Sequence, residues 1–134
     1  MFLKDLGDLK GARVRFERAV KIGEASYGKD HVQVAIYLSN LGLVLKDLGD
    51  LKGARDCYER ALKIDEATYG MDHPEMAIDL NNLGLVLQDS GDLKGARANF
   101  EQALQILEMS LGKDHPKTQL VKENLGILGN VHTQ

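Results

Sequence analysis

Seven residues, Gly-Asp-Leu-Lys-Gly-Ala-Arg, occur three times unchanged, at Gly7–Arg13, Gly49–Arg55 and Gly91–Arg97, 42 residues apart both times. A fixed period of this size marks a stacked array, in which each unit hides its apolar face only against its neighbours. The repetition runs well past the heptapeptide. Residues 31–72 and 73–114 agree at 25 of 42 positions, so the whole unit repeats and not a short motif alone. Leu41-Gly42-Leu43-Val44-Leu45 returns as Leu83-Gly84-Leu85-Val86-Leu87, Ala61-Leu62 as Ala103-Leu104, and Gly70 as Gly112.

Within residues 73–114 the pattern is that of two helices. Pro74 suits a first helical position, because its φ is already helical and its missing N–H has no intrahelical partner there. Apolar or small residues then recur at Met76, Ala77, Leu80, Leu83, Gly84 and Leu87, in steps of three and four. Gly91 stops this helix and Asp92 is placed to cap the next. That second helix aligns Leu93, Ala96, Phe100, Ala103 and Leu104 on one face and ends at Gly112. Gly84 and Ala96 are small where the two helices must approach, and Leu80, Leu87 and Phe100 fill the space beside them. Leu38, Gly42, Leu45, Ala54, Tyr58 and Ala61 repeat this arrangement one unit earlier. No sustained alternation supports a strand.

Composition narrows the function classes. The 134 residues are 43% hydrophobic and 28% charged, which suffices for one buried core with a solvated surface. A net charge of −3 argues against a nucleic-acid partner, which requires a basic face. No run of 18 apolar residues is present to span a membrane, and Met1–Asp5 does not open an apolar secretory signal. Cys57 is the only cysteine, which excludes an internal disulfide and fits a reducing, cytoplasmic setting.

A small Gly followed twelve residues later by Ala, then by an aromatic residue and another Ala, resembles the tetratricopeptide repeat. The 42-residue period, the Leu-x-Asn-Leu-Gly segments at 38–42 and 80–84, and the Gly-x-Asp-His-Pro link at 70–74 and 112–116 are similar to the long variant of kinesin light chains. The same variant occurs in the tails of NB-ARC-type signalling ATPases. The resemblance covers nearly the whole chain. It implies an all-α, right-handed superhelical array of antiparallel helical hairpins: a partial repeat over 1–30, repeats over 31–72 and 73–114, and a terminal helix over 115–134.

The resemblance also implies where a ligand binds. First helices of such repeats line a concave groove. Here that face comprises Ile36, Ser39, Asn40, Leu43, Lys46 and Asp47, then Ile78, Asn81, Asn82, Leu85, Gln88 and Asp89. The last helix adds Leu120, Glu123, Asn124, Ile127 and Asn130. Asn40, Asn82 and Asn124 recur at the period of the array, and an amide can both donate to and accept from an extended peptide backbone. The alternative is that these amides satisfy neighbouring repeats. Leu43, Leu85 and Ile127 make the floor apolar, which suits an apolar or amphipathic segment. The carboxylate clamp of chaperone-binding relatives is not matched, since Ser39, Asn81 and Leu43 or Leu85 stand where its Lys, Arg and second Asn fall. Lys46 alone is a poor match to the basic groove of kinesin-type cargo recognition.

The two ends of the array read differently. Met1–Leu6 matches Leu43–Leu48, so most of a first helix is missing before the second helix expected from Asp8 to Tyr27. Leu9, Ala12, Phe16 and Ala19 of that helix would then face water, although burying one large apolar side chain contributes roughly 1.5–3 kcal/mol. Either the chain is a fragment cut from a longer array, or self-association covers them, by a domain swap if the turn over Leu6–Gly11 straightens. At the other end, Lys122 and Gly129 replace the leucines at 38/80 and 45/87, as suits a terminal helix with a solvated outer face.

No chemistry of catalysis emerges. His31, His73 and His115 recur at the period, but one repeat apart they cannot converge on a metal ion. Asp-His-Pro is read as helix-start punctuation. The heptapeptide lacks P-loop spacing and a preceding strand, and reads as a tight interhelical turn. Cys57 has no neighbouring His to mark a nucleophile and fits a surface or packing role. The expected function is therefore a protein-interaction scaffold, not an enzyme, without a cofactor. It binds a peptide or helix in its groove. The rival readings are a self-associating structural or regulatory segment, and an accessory region of a larger signalling protein.

Overall fold

In the computed structural model, which describes residues 3–129, the residues spaced by three and four fall on the buried faces of six helices. These are α1 (Leu3–Tyr27), α2 (Val32–Asp47), α3 (Leu51–Tyr69), α4 (Pro74–Asp89), α5 (Leu93–Ser110) and α6 (Pro116–Gly129), and there is no strand among the described residues. The chain divides into two compact units, Met1–Thr68 and Tyr69–Gln134.

The turns follow from glycine. Gly28, Gly49, Gly70, Gly91 and Gly112, each 21 residues from the next, all have φ between 86° and 96°. Side-chain-bearing residues avoid this left-handed region, so these glycines end helices where the chain must reverse. The helix that follows starts from a side-chain cap. Asp92 Oδ1 accepts from Gly95 N at 2.9 Å, and Asp50 Oδ1 accepts from Gly53 N at 2.9 Å. A Cβ on Gly53 or Gly95 would lie 2.5 Å from the capping carboxylate. Both glycines and the aspartate of the heptapeptide are thus required by one turn.

His31, His73 and His115 start the other helices as expected. Each Nδ1 accepts from the backbone N–H two residues on, at 2.9, 3.0 and 3.1 Å. The rings of His31 and His73 also stack on Tyr27 and Tyr69, with centroids 4.7 and 4.4 Å apart.

In the second unit α4 and α5 form the closest hairpin. Phe100, Ala96 and Ala103 are fully buried, and a Cβ on Gly84 would meet the Phe100 ring at 2.6 Å. This is close packing of backbone against ring, and it explains the glycine. Arg97 closes the other side of α5, its Nη2 donating to the Leu128 carbonyl at 3.0 Å. In the first unit Tyr58 occupies the place of Phe100, and a Cβ on Gly42 would meet its ring at 3.0 Å. Arg60 ties α3 to α1 through Glu24 and donates to the Lys29 carbonyl at 3.5 Å.

The first copy of the heptapeptide departs from expectation. It makes no hinge. The helix expected to begin at Asp8 begins at Leu3 and runs through Gly7 and Gly11 as part of α1. Neither glycine has a foreign atom within 4 Å of its Cβ position. At Gly49 and Gly91 a full preceding helix folds back and packs its Leu, Gly and Leu against the following one, offsetting the loss of backbone continuity. In α1 the backbone stays helical through Gly7 and Gly11, and continuing a helix adds one hydrogen bond per residue fixed. Leu9, Ala12, Phe16 and Ala19 are half-buried and not fully open to water, and α1 packs on α2. Val20 is buried there, and Gly23 lies against Tyr37 and Val34.

Candidate functional site

The expected groove residues occupy the first helix of each hairpin, so each unit carries its own share. In the first unit Asn40 and Leu43 are exposed on α2, with Lys46 half-buried on the same stretch. Ile36 and Leu43 stand 49% and 52% exposed on a helix whose other apolar residues are mostly buried, so this face holds apolar surface in water.

The second unit is more informative. Helices α4 and α6 enclose a cavity of about 220 Å³ lined by Ile78, Asn81, Asn82, Leu107, Lys117 and Leu120. Its lining is mostly apolar and includes two amides and one ammonium. This combination buries an apolar group and orients it with few polar contacts. Leu85, Gln88 and Asn82 are half-buried on α4, and Ile127 is 55% exposed on α6.

Asn81 and Asn124 are committed to each other. Asn124 Nδ2 donates to Asn81 Oδ1 at 2.9 Å, and Asn81 is buried. Both were candidates for gripping a peptide. Here one Asn124 donor and the Asn81 oxygen join two helices, as in the alternative reading of the ladder. Asn82 lines the cavity and is half-buried, and Asn40 is exposed. Asn130 lies outside the described residues. Sequence reasoning did not include Lys117 or Leu107. Lys117 is the second residue of α6, one turn before Leu120 and Val121 on the face toward α4, and that spacing was the available signal.

Cys57 is buried on α3, and its thiol is pushed up to about 11, first by burial and next by the Asp56 carboxylate. A thiol so held stays protonated at neutral pH and is a poor nucleophile. It serves packing.

The sequence profile of the tetratricopeptide repeat family matches residues 1–67, 37–109 and 74–128. The chain belongs to the tetratricopeptide repeat family. No curated protein sequence matches it. Among solved structures, BtubC (BKLC) from P. vanneervenii superposes with a TM-score of 0.85 at 22% identity, over 96% of this chain and 51% of that one. The nearly identical TPR-like repeats of a kinesin-light-chain-type protein from Podosopora anserina superpose with a TM-score of 0.87 at 20% identity, over 96% and 61%. A singly substituted form of those repeats gives 0.84 at 20% identity, over 91% and 57%. The chain thus spans between half and two thirds of the length of these structures, and at such identities the likeness concerns the fold. Among the described residues no helix is long and apolar enough to cross a membrane.

Proposed function

We propose that this tetratricopeptide array is a protein-interaction module that receives a peptide or helix on the face of its first helices. The observation that carries this reading is the cavity between α4 and α6. It is large enough for one apolar side chain, and Asn82 and Lys117 are among its lining residues. The partner is a segment with an apolar anchor, its backbone meeting the Asn82 amide and an acceptor group meeting Lys117. Ile127 on α6 offers further apolar contact, and Leu43 gives the first unit an apolar contact of its own. Recognition is passive, since a preformed surface limits the ordering that binding requires.

Panning a random peptide library against the chain and against a Leu120→Glu variant tests this. Leu120 is 51% exposed, so the variant keeps its fold. Enriched peptides should share an apolar anchor and lose binding to the variant at least about tenfold, for loss of one good apolar contact. Peptides that bind both proteins equally would show that the cavity is not the site.

A further inference from the structure

We infer that a cavity between α5 and the link preceding α4 is a second docking site, and that its partner is a basic amphipathic protein segment. The cavity holds about 370 Å³, within the roughly 300–1,000 Å³ of ordinary ligand pockets. Met71, Asp72, Gln102, Gln105, Ile106 and Met109 line it. It shares no residue with the cavity between α4 and α6, so the inference is independent of the groove proposal.

The lining departs from the repeat in one direction. At the 42-residue period, Gln102 stands where the other copies have Arg18 and Arg60, and Gln105 where they have Lys21 and Lys63. Met71 stands where they have Lys29 and Lys113, while Asp72 keeps the carboxylate of Asp30 and Asp114. Three cations are lost and the carboxylate stays, so the one charge left at these positions is negative. Met109 replaces Ala25 and Ala67, which adds thioether surface to the same place. In the first unit the corresponding position is used internally. Arg60 pairs there with Glu24 and donates to the Lys29 carbonyl at 3.5 Å. Gln102 is shorter and uncharged, and it lines a cavity instead.

The frame of the site is preformed. Ile106 is buried, whereas Met71 and Met109 are 43% and 79% exposed, so both thioethers are free to receive a partner. Ser110 Oγ donates to the Asp72 carbonyl at 3.3 Å and ties the link to α5. Methionine is unbranched and polarisable, and it adapts to apolar side chains of varied shape. The partner places an apolar residue on these two side chains. A neighbouring lysine or arginine lays its methylene stem on the same surface and carries its cation to Asp72. That ion pair is exposed and adds little affinity, but it selects the sign of the partner. An acidic segment gains nothing, because the lining holds no cation to receive it.

Fluorescence anisotropy with a labelled leucine–lysine amphipathic helix and with its leucine–glutamate counterpart tests the inference. The wild type should bind the leucine–lysine peptide in preference. Met71→Lys combined with Gln105→Lys restores the residues of the other copies, so it keeps the fold, and it should weaken that binding at least about tenfold. Ala25→Lys combined with Ser26→Lys changes the net charge equally at two exposed positions of α1. Charges far from the site are screened at physiological salt, so this control should bind within about twofold of the wild type. Met109→Gln removes apolar surface at an exposed position without changing charge, and it should also weaken binding. No binding by the wild type, preference for the leucine–glutamate peptide, or an equal loss in the restored variant and the control overturns the inference. Undiminished binding by the restored variant or by Met109→Gln overturns it as well.

Discussion

At Gly84 the whole logic of the hairpin is compressed into a missing methyl group. Alanine is the better helix former by about 1 kcal/mol, yet its Cβ would sit 2.6 Å from the Phe100 ring. Phe100 is fully buried and cannot swing aside without disturbing Ala96 and Ala103. Overpacking of this kind costs about 1–3 kcal/mol, so Gly84→Ala should lower the urea midpoint despite its higher propensity. The histidine caps belong to the same scale. Removing the Nδ1 acceptor by His73→Ala should destabilise by about 0.5–2 kcal/mol in chemical denaturation. Cys57 makes a prediction about pH. Its folded pKa is raised from 9.0 to about 11, so the unfolded chain releases the proton first. Stability from this group is complete below pH 9 and declines as pH rises towards 11, by about 2 kcal/mol over that range. The difference between wild type and Cys57→Ala in stability should therefore narrow across that window.

At the scale of elements, one string of seven residues adopts two structures. In the second and third copies Gly49 and Gly91 are left-handed, and the aspartate caps the following helix. In the first copy the same residues lie inside a 25-residue helix. Substituting the same letter should therefore act with opposite sign. Gly7→Ala relieves a helical glycine in open space and should stabilise by about 0.5–1 kcal/mol. Gly91→Ala forces a Cβ into the left-handed region and should destabilise by about 1–2 kcal/mol. Thermal melts of the two variants side by side measure the contrast.

At the scale of the whole molecule, what was legible in the sequence is what each repeat decides for itself. The helix starts at His73 and Asp92, the stop at Gly91 and the meeting of Gly84 with Phe100 are all local to one hairpin, and periodicity exposes them. What was not legible depends on how neighbouring helices fall against each other. Asn81 pairs with Asn124, 43 residues on, and a reading by strict period looks for partners 42 apart. Lys117 joins the cavity through the angle between α4 and α6, which no spacing encodes. The first heptapeptide misled for the same reason. Its local signals all favour a turn, yet in α1 the backbone stays helical through them. Tertiary context, not the heptapeptide, thus selects hinge or helix. Backbone chemical shifts of the full chain test it most directly. Cα shifts over Leu6–Arg13 should be helical throughout, while Gly49 and Asp50 depart from helical values. Turn-like shifts at Gly7 and Asp8, matching those at Gly49 and Asp50, would contradict it.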